Sequence, residues 1–122
     1  MKNNPIPLSK EQLEILKNKA TEKPFSGKLL YNKKKGIYSC SYCNNPLFNS
    51  ITKYDSNSGW PSFNDSIKNS VEFISDNSLD LNRTEVICKK CKSHLGHIFN
   101  DGPKPTNKRY CINSLALNFK EK

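Results

Sequence analysis

Apolar positions along the chain follow two different periods. Between Ser9 and Ala20, the residues Leu13, Leu16 and Ala20 recur at helical spacing within a polar stretch, which predicts an amphipathic helix from about Lys10 to Lys19. Ser9 and Gln12 stand three apart as a capping box at its start, and Leu8 and Leu13 are placed to staple across the cap. After Pro24 the pattern changes to short β-branched and aromatic runs divided by Gly, Pro, Asn and Asp, the mark of strands and turns. The expected strands are Lys28 to Tyr31 paired with Ile37 to Cys40 across a Lys-rich turn, then Val71 to Ile74, Glu85 to Cys88, Arg109 to Asn113 and Leu115 to Phe119. The breaker-rich stretches Lys53 to Asp65 and Asn100 to Lys108 read as loops. The body is therefore expected to be mainly β, with one leading helix.

A chain of 122 residues that is 34% hydrophobic supplies apolar material for one core, so a single domain over 1–122 is expected, residues 1–20 being its helix and lead-in. No apolar run approaches the roughly 20 residues of a membrane span. The start, MKNNPIPLSKEQ, lacks the apolar stretch of a secretory signal, which points to the cytoplasm and to no membrane partner. A net charge of +9 raises the question of nucleic acid, because Lys and Arg gain affinity by displacing counterions from phosphates. The lysines are dispersed, however. Only Lys33 to Lys35 form a dense run, and it lacks the interleaved aromatics of a single-strand stacking platform, so it reads as a solvated turn and no nucleic-acid partner is expected.

The cysteines carry more information than the charge. Cys40 with Cys43 and Cys88 with Cys91 form two Cys-x-x-Cys units, and Cys111 stands alone. Each unit offers two sulfurs to one tetrahedral ion, so the pair predicts a single Cys₄ zinc site per chain. Two structural disulfides are disfavoured in a reducing compartment, and a thioredoxin-type dithiol does not come in duplicate. Four thiolates leave no open position for water. The zinc is expected to be structural, and a hydrolase that activates water on the metal is excluded by the same count.

Cys111 is then a leftover thiol on an expected strand, where the bland alternative is an inert core residue. Arg109, two residues away, shares its strand face and would favour the thiolate, the reactive form. His94 and His97 follow the second cysteine pair, and one helical turn or a tight bend there would aim both rings into one pocket; a zinc ligand or a satisfied core histidine is the competing role. Trp60, the one tryptophan, lies on a Pro-stiffened loop suited to lining an apolar pocket or to packing.

The segments PFSGK (24–28), YSCSYC (38–43), GWPSF (59–63), EVICKKC (85–91), HLGHIFNDGP (94–103) and RYCINS (109–114), in this order, resemble the methionine sulfoxide reductase B family, with the likeness running from about Thr21 to Phe119. The resemblance implies two antiparallel β-sheets with small helices, a structural zinc, and reduction of protein-bound or free methionine R-sulfoxide, as in repair after oxidative stress. It implies that Cys111 is the nucleophile and His97 the acid. His94, Asp101, Arg109 and Asn113 would organise thiolate, acid and water, and Trp60 would receive the methyl group. A sulfenic acid would form on Cys111. Many members resolve it with a cysteine two residues before the tryptophan; this chain has Ser58 there, so direct reduction by an external thiol or a thioredoxin-like reductase is expected. A monomer is expected. The competing reading from another class is a non-enzymatic zinc module contacting nucleic acid, which would tolerate loss of Cys111.

Overall fold

The structure, a computed structural model, describes residues 8–77 and 82–122; residues 1–7 of the expected lead-in lie outside these. The helix α1 spans Lys10–Asn18. Its capping box is complete, with Ser9 Oγ accepting from the Gln12 amide and the Gln12 side chain accepting from the Ser9 amide at 2.9 Å. Lys19 ends it in the left-handed conformation. The buried residues are Ile15 and Leu16, packed toward the strand of His94 and the turn after Ile112, while Leu13 faces solvent and Leu8 packs on the core. The inward face is thus rotated from the one that Leu13 suggested.

Among the described residues nine strands follow: β1 Gly36–Cys40, β2 Pro46–Asn49, β3 Lys53–Tyr54, β4 Ser62–Phe63, β5 Val71–Asp76, β6 Arg83–Cys88, β7 His94–Phe99, β8 Arg109–Ile112 and β9 Leu117–Glu121. They form two antiparallel sheets, one of order β2-β1-β9 and one of order β3-β4-β8-β7-β6-β5. Three-residue 3₁₀ turns precede β3 and β9. The mainly β architecture agrees with the sequence. Among the described residues no helix is long and apolar enough to cross a membrane.

One expected hairpin is absent. Lys28 to Tyr31 form turns, and β1 pairs instead with β2 across the first cysteine pair and with β9. Side chains, not a ladder, satisfy that backbone: Lys53 Nζ donates to the Leu30 carbonyl at 2.7 Å, and Ser114 Oγ accepts from the Leu29 amide at 2.8 Å. The expected loop from Lys53 to Asp65 contains two very short strands, β3 and β4, which extend the large sheet beside β8.

Aromatic rings join the two sheets. Phe48 of β2 stacks on Phe63 of β4 with centroids 4.2 Å apart, and Tyr38 of β1 meets Phe63 edge-on at 5.1 Å. Cys40, Leu47, Val86, Cys88, Leu95 and Ile112 fill the remaining interior and have no exposed surface. Gly96 is fixed by its neighbours, because a Cβ there would lie 2.0 Å from the Cys111 carbonyl oxygen. A glycine at this position lets β7 lie close against β8 beside Cys111.

Candidate active site and metal centre

The two cysteine pairs make near-identical turns. In each, the residue after the second cysteine takes a left-handed conformation, Asn44 at φ 66° and Lys92 at φ 64°, and its amide bonds the carbonyl of the first cysteine at 2.8 Å. The first cysteine amide is bonded at 2.9 Å, to Asn45 in one turn and Ser93 in the other. All four Sγ atoms lie within 4.8 Å of one another, with Cys40 to Cys91 and Cys43 to Cys88 each at 3.6 Å. Tetrahedral zinc with sulfur at about 2.3 Å requires sulfurs about 3.8 Å apart, so the donor set fits that ion. Ser93 Oγ, 3.1 Å from Cys91 Sγ, and Asn45 Nδ2, 3.6 Å from Cys88 Sγ, are polar partners suited to thiolates. Neither histidine joins the cluster.

The second site surrounds Cys111 on β8. Strand alternation puts Arg109 and Cys111 on one face, and the register sets His97 directly opposite Cys111 and Phe99 opposite Arg109. His94 and His97 belong to a strand and not to a helical turn. Residues three apart on a regular strand face opposite ways, but β7 carries a bulge here: Val86 pairs with Gly96 and Ile87 with His94, leaving Leu95 as the extra residue. The bulge changes the parity and brings the two rings together, with centroids 5.5 Å apart.

Each ring has its own carboxylate. His97 Nε2 lies 2.7 Å from Asp76 Oδ2, which also pairs with Arg83 at 3.4 Å. His94 Nδ1 lies 2.7 Å from Glu85 Oε2, whose other oxygen faces Lys19 Nζ at 3.2 Å. That contact places the proton of a neutral His94 on Nδ1 and leaves its buried Nε2 without a hydrogen-bond partner among the described residues. Burial pushes the His94 pKa down more than Glu85 pulls it up, with His97 and Lys19 adding to the depression. A depressed folded value means that the neutral ring contributes stability fully above the unfolded value of about 6.5 and loses it as pH falls. The melting temperature is expected to drop by several degrees from about pH 7 to about pH 5, and His94→Gln to flatten that drop; equal slopes for the two proteins would contradict it.

Cys111 is 3.8 Å from the Ser58 hydroxyl. Burial pushes its thiol pKa up, while Ser58 and Arg109 draw it down. Arg109 does favour the thiolate, as its sequence position suggested, but desolvation is the larger effect. Arg109 is itself held by Asp101 through bonds of 2.8 and 3.2 Å and lies over the Phe99 ring at 4.3 Å. The guanidinium keeps the Asp101 carboxyl below its usual range.

Trp60, His97, Cys111 and Asn113 line one small cleft of about 90 Å³, with Thr21 and Phe99 at its wall. Trp60 Nε1 donates to the Glu22 carbonyl at 3.0 Å, and the Asn113 side chain accepts from the Glu22 amide at 3.0 Å and donates to the Leu95 carbonyl at 3.0 Å. Glu22 Oε1 accepts from the Leu115 amide, and burial pushes the Glu22 pKa up. Glu22 thus ties the tryptophan wall to the end of the Cys111 strand. Sequence reasoning missed it, along with Asp76 and Glu85 as histidine partners, because no spacing links these acidic residues to the sites they serve.

Fold and site together define a β-domain with a cysteine-cluster staple at one place and a thiol-centred cleft at another. The chain matches the SelR domain over residues 8–121. It is 56% identical over 114 residues to the peptide methionine sulfoxide reductase MsrB of Methanosarcina barkeri (strain Fusaro), covering 93% of this chain and 80% of the relative. It is 50% identical over 113 residues to the protein of the same name from Escherichia coli (strain K12 / DH10B), covering 92% and 82%. The chain belongs to the SelR-domain family, that of the peptide methionine sulfoxide reductases MsrB. Among solved structures, the Mis18 'Yippee-like' domain superposes with a TM-score of 0.58 at 18% identity, over 73% of this chain and 98% of that one, a likeness of fold alone.

Proposed function

We propose that the chain reduces methionine R-sulfoxide, free or in proteins, to methionine, with Cys111 as the nucleophile. The observation that carries this reading is the register of β7 on β8, which sets His97 opposite Cys111 while Trp60 and Asn113 line the same cleft. The Cys111 thiolate attacks the sulfoxide sulfur, the oxygen passes to Cys111 as a sulfenic acid, and methionine leaves. Sulfoxide oxygen leaves poorly unless protonated, and His97, oriented by Asp76, is the acid placed beside it. Arg109, fixed by Asp101, supports the thiolate. Trp60 supplies an apolar wall for the methyl group, and a methyl wall on one side with an acid on the other admits one epimer.

His94 and Asn113 act as supports, holding β7 through Glu85 and Leu95. The four-cysteine cluster would hold one zinc ion, which would staple the hairpins together and supply no chemistry at Cys111. With Ser58 at the position of a resolving cysteine, the sulfenate returns to thiol through an external thiol or a thioredoxin-like reductase. A reducing compartment such as the cytoplasm suits this chemistry and keeps the cluster cysteines out of disulfides.

The test is turnover of separated R and S epimers of a blocked methionine sulfoxide with dithiothreitol, the parent chain beside Cys111→Ser. Reduction of the R epimer alone, lost by at least a thousandfold in the folded variant, is the expected result. Reduction of neither epimer by folded, zinc-loaded protein would overturn the reading.

A further inference from the structure

The segment between α1 and β1 carries a residue that packing does not explain. Lys23 to Ser26 form a four-residue turn, in which the Lys23 carbonyl accepts from the Ser26 amide at 3.3 Å and from the Ser26 hydroxyl at 2.6 Å. Pro24 takes the second position and Phe25 the third, with φ 64°. A positive φ at the third position is the geometry of a type II turn, where Gly or Asn is usual and a bulky side chain is strained. Six other non-glycine residues among the described ones have a positive φ, four Asn and two Lys, so Phe25 is the one aromatic in that set. Burial does not offset the strain, because 62% of Phe25 is exposed.

Phe25 is tied to the loop that carries the cleft wall. Its amide donates to the Gly59 carbonyl at 2.7 Å, and its ring lies against Gly59, where a Cβ would come within 3.2 Å of the ring and 2.7 Å of Pro24 Cβ. Gly59 has φ 94°, so glycine is required there for conformation as well as for space. The next residue is Trp60, which lines the cleft with Thr21 and whose indole donates to the Glu22 carbonyl. Two bonds, one on each side of Lys23, thus hold the strained turn to the tryptophan wall.

We propose that Phe25 is a specificity-determining contact for polypeptide substrates, packing against an apolar side chain next to the methionine sulfoxide; the inference rests on the reading of the Trp60 cleft as the sulfoxide site. That cleft, of about 90 Å³, has room for the end of one side chain, so the rest of a polypeptide lies outside it. Neighbouring residues of an extended chain follow at about 3.3 Å each, and an exposed ring held against the residue before Trp60 is placed to meet them. The chemistry of the substrate names the partner group. Methionine is commonly an interior residue, and its oxidation disrupts the packing around it, so the segments it presents carry apolar neighbours. Free methionine sulfoxide has none. Phe25 therefore strengthens binding of oxidised polypeptide without touching the reacting atoms, which lowers KM and leaves kcat as it was.

The test compares two R-sulfoxide substrates with dithiothreitol as reductant: a blocked methionine sulfoxide, and a pentapeptide with methionine sulfoxide at its centre and leucine on both sides. Phe25→Asn and Phe25→Gly are the variants, because both residues accept a positive φ and keep the turn. In each, KM for the pentapeptide is expected to rise about fivefold or more at unchanged kcat, while both constants for the blocked sulfoxide stay within about twofold of the parent. Phe25→Tyr, which keeps the ring, is expected to match the parent. Serine in place of the peptide leucines is expected to remove the difference between parent and variants. Equal losses on both substrates overturn the proposal, since they would make Phe25 a support for Trp60, and so does an unchanged KM for the leucine peptide. A parent chain that reduces neither substrate overturns the reading of the cleft and the inference with it.

Discussion

Stripping metal from the chain with a strong chelator at neutral pH, or replacing Cys40 by serine, is expected to unfold it. Cys40 and Cys88 have no exposed surface and sit in the core at the ends of β1 and β6, one in each sheet. The cluster therefore fastens the two sheets from inside. Structural zinc contributes about 10–16 kcal/mol to small zinc domains, against about 5–15 kcal/mol for the whole stability of an ordinary domain. Without the ion, two buried and two half-buried thiols are left crowded together. Contact with Cys88 and Cys91 pushes the Cys40 pKa up, and burial pushes that of Cys43 up to about 11. Loss of the far-ultraviolet β signal and of the Trp60 emission shift on chelation, both restored by zinc, is the expected result. A chelated protein that melts at its original temperature would show that the cluster is not a staple.

The second large effect is chemical. Ser58→Cys is expected to convert the fate of Cys111 after one turnover. The Ser58 hydroxyl already lies 3.8 Å from Cys111 Sγ, and a longer C–S bond carries a sulfur at residue 58 toward the disulfide distance of about 2.05 Å. One equivalent of sulfoxide without reductant should leave the parent chain heavier by one oxygen and Ser58→Cys lighter by two hydrogens, as intact mass shows directly. The sulfenate of the variant should be lost at least a hundredfold faster, and dimedone should fail to trap it. A variant that keeps the oxygen would mean that the loop from Asp55 to Gly59 holds residue 58 away from Cys111.

Much of this arrangement was legible in the residues. The duplicated Cys-x-x-Cys spacing is local and points to one shared cluster whatever the rest of the chain does, so the gathering of the four cysteines followed from sequence. Arg109 and Cys111 share a face through simple strand alternation, which also needs no tertiary knowledge. The histidines did not follow, because their common face depends on one unpaired residue, Leu95, in a bulge that pairing with β6 creates. The same limit applies to Lys28 to Tyr31. Its apolar residues suited a strand, but β1 found β2 and β9 as partners, and Lys53 and Ser114 satisfied the backbone left over. Glu22, Asp76 and Glu85 were invisible for a related reason: each matters through a partner far away in sequence.

The pairing of β1 with β9 also sets an order of events during synthesis. Strand β1 lies between β2 and β9 in the small sheet, so its inner ladder stays half empty until residues 117–121 have emerged from the ribosome. Cys40 and Cys43 are made before their cluster partners Cys88 and Cys91, and Cys111 comes after both. A growing chain thus carries the first pair of thiols before their partners exist, with no shaped cleft around Cys111. The cleft around Cys111 takes shape only when the strand that carries Cys111 and the strand that seals β1 have both joined their sheets.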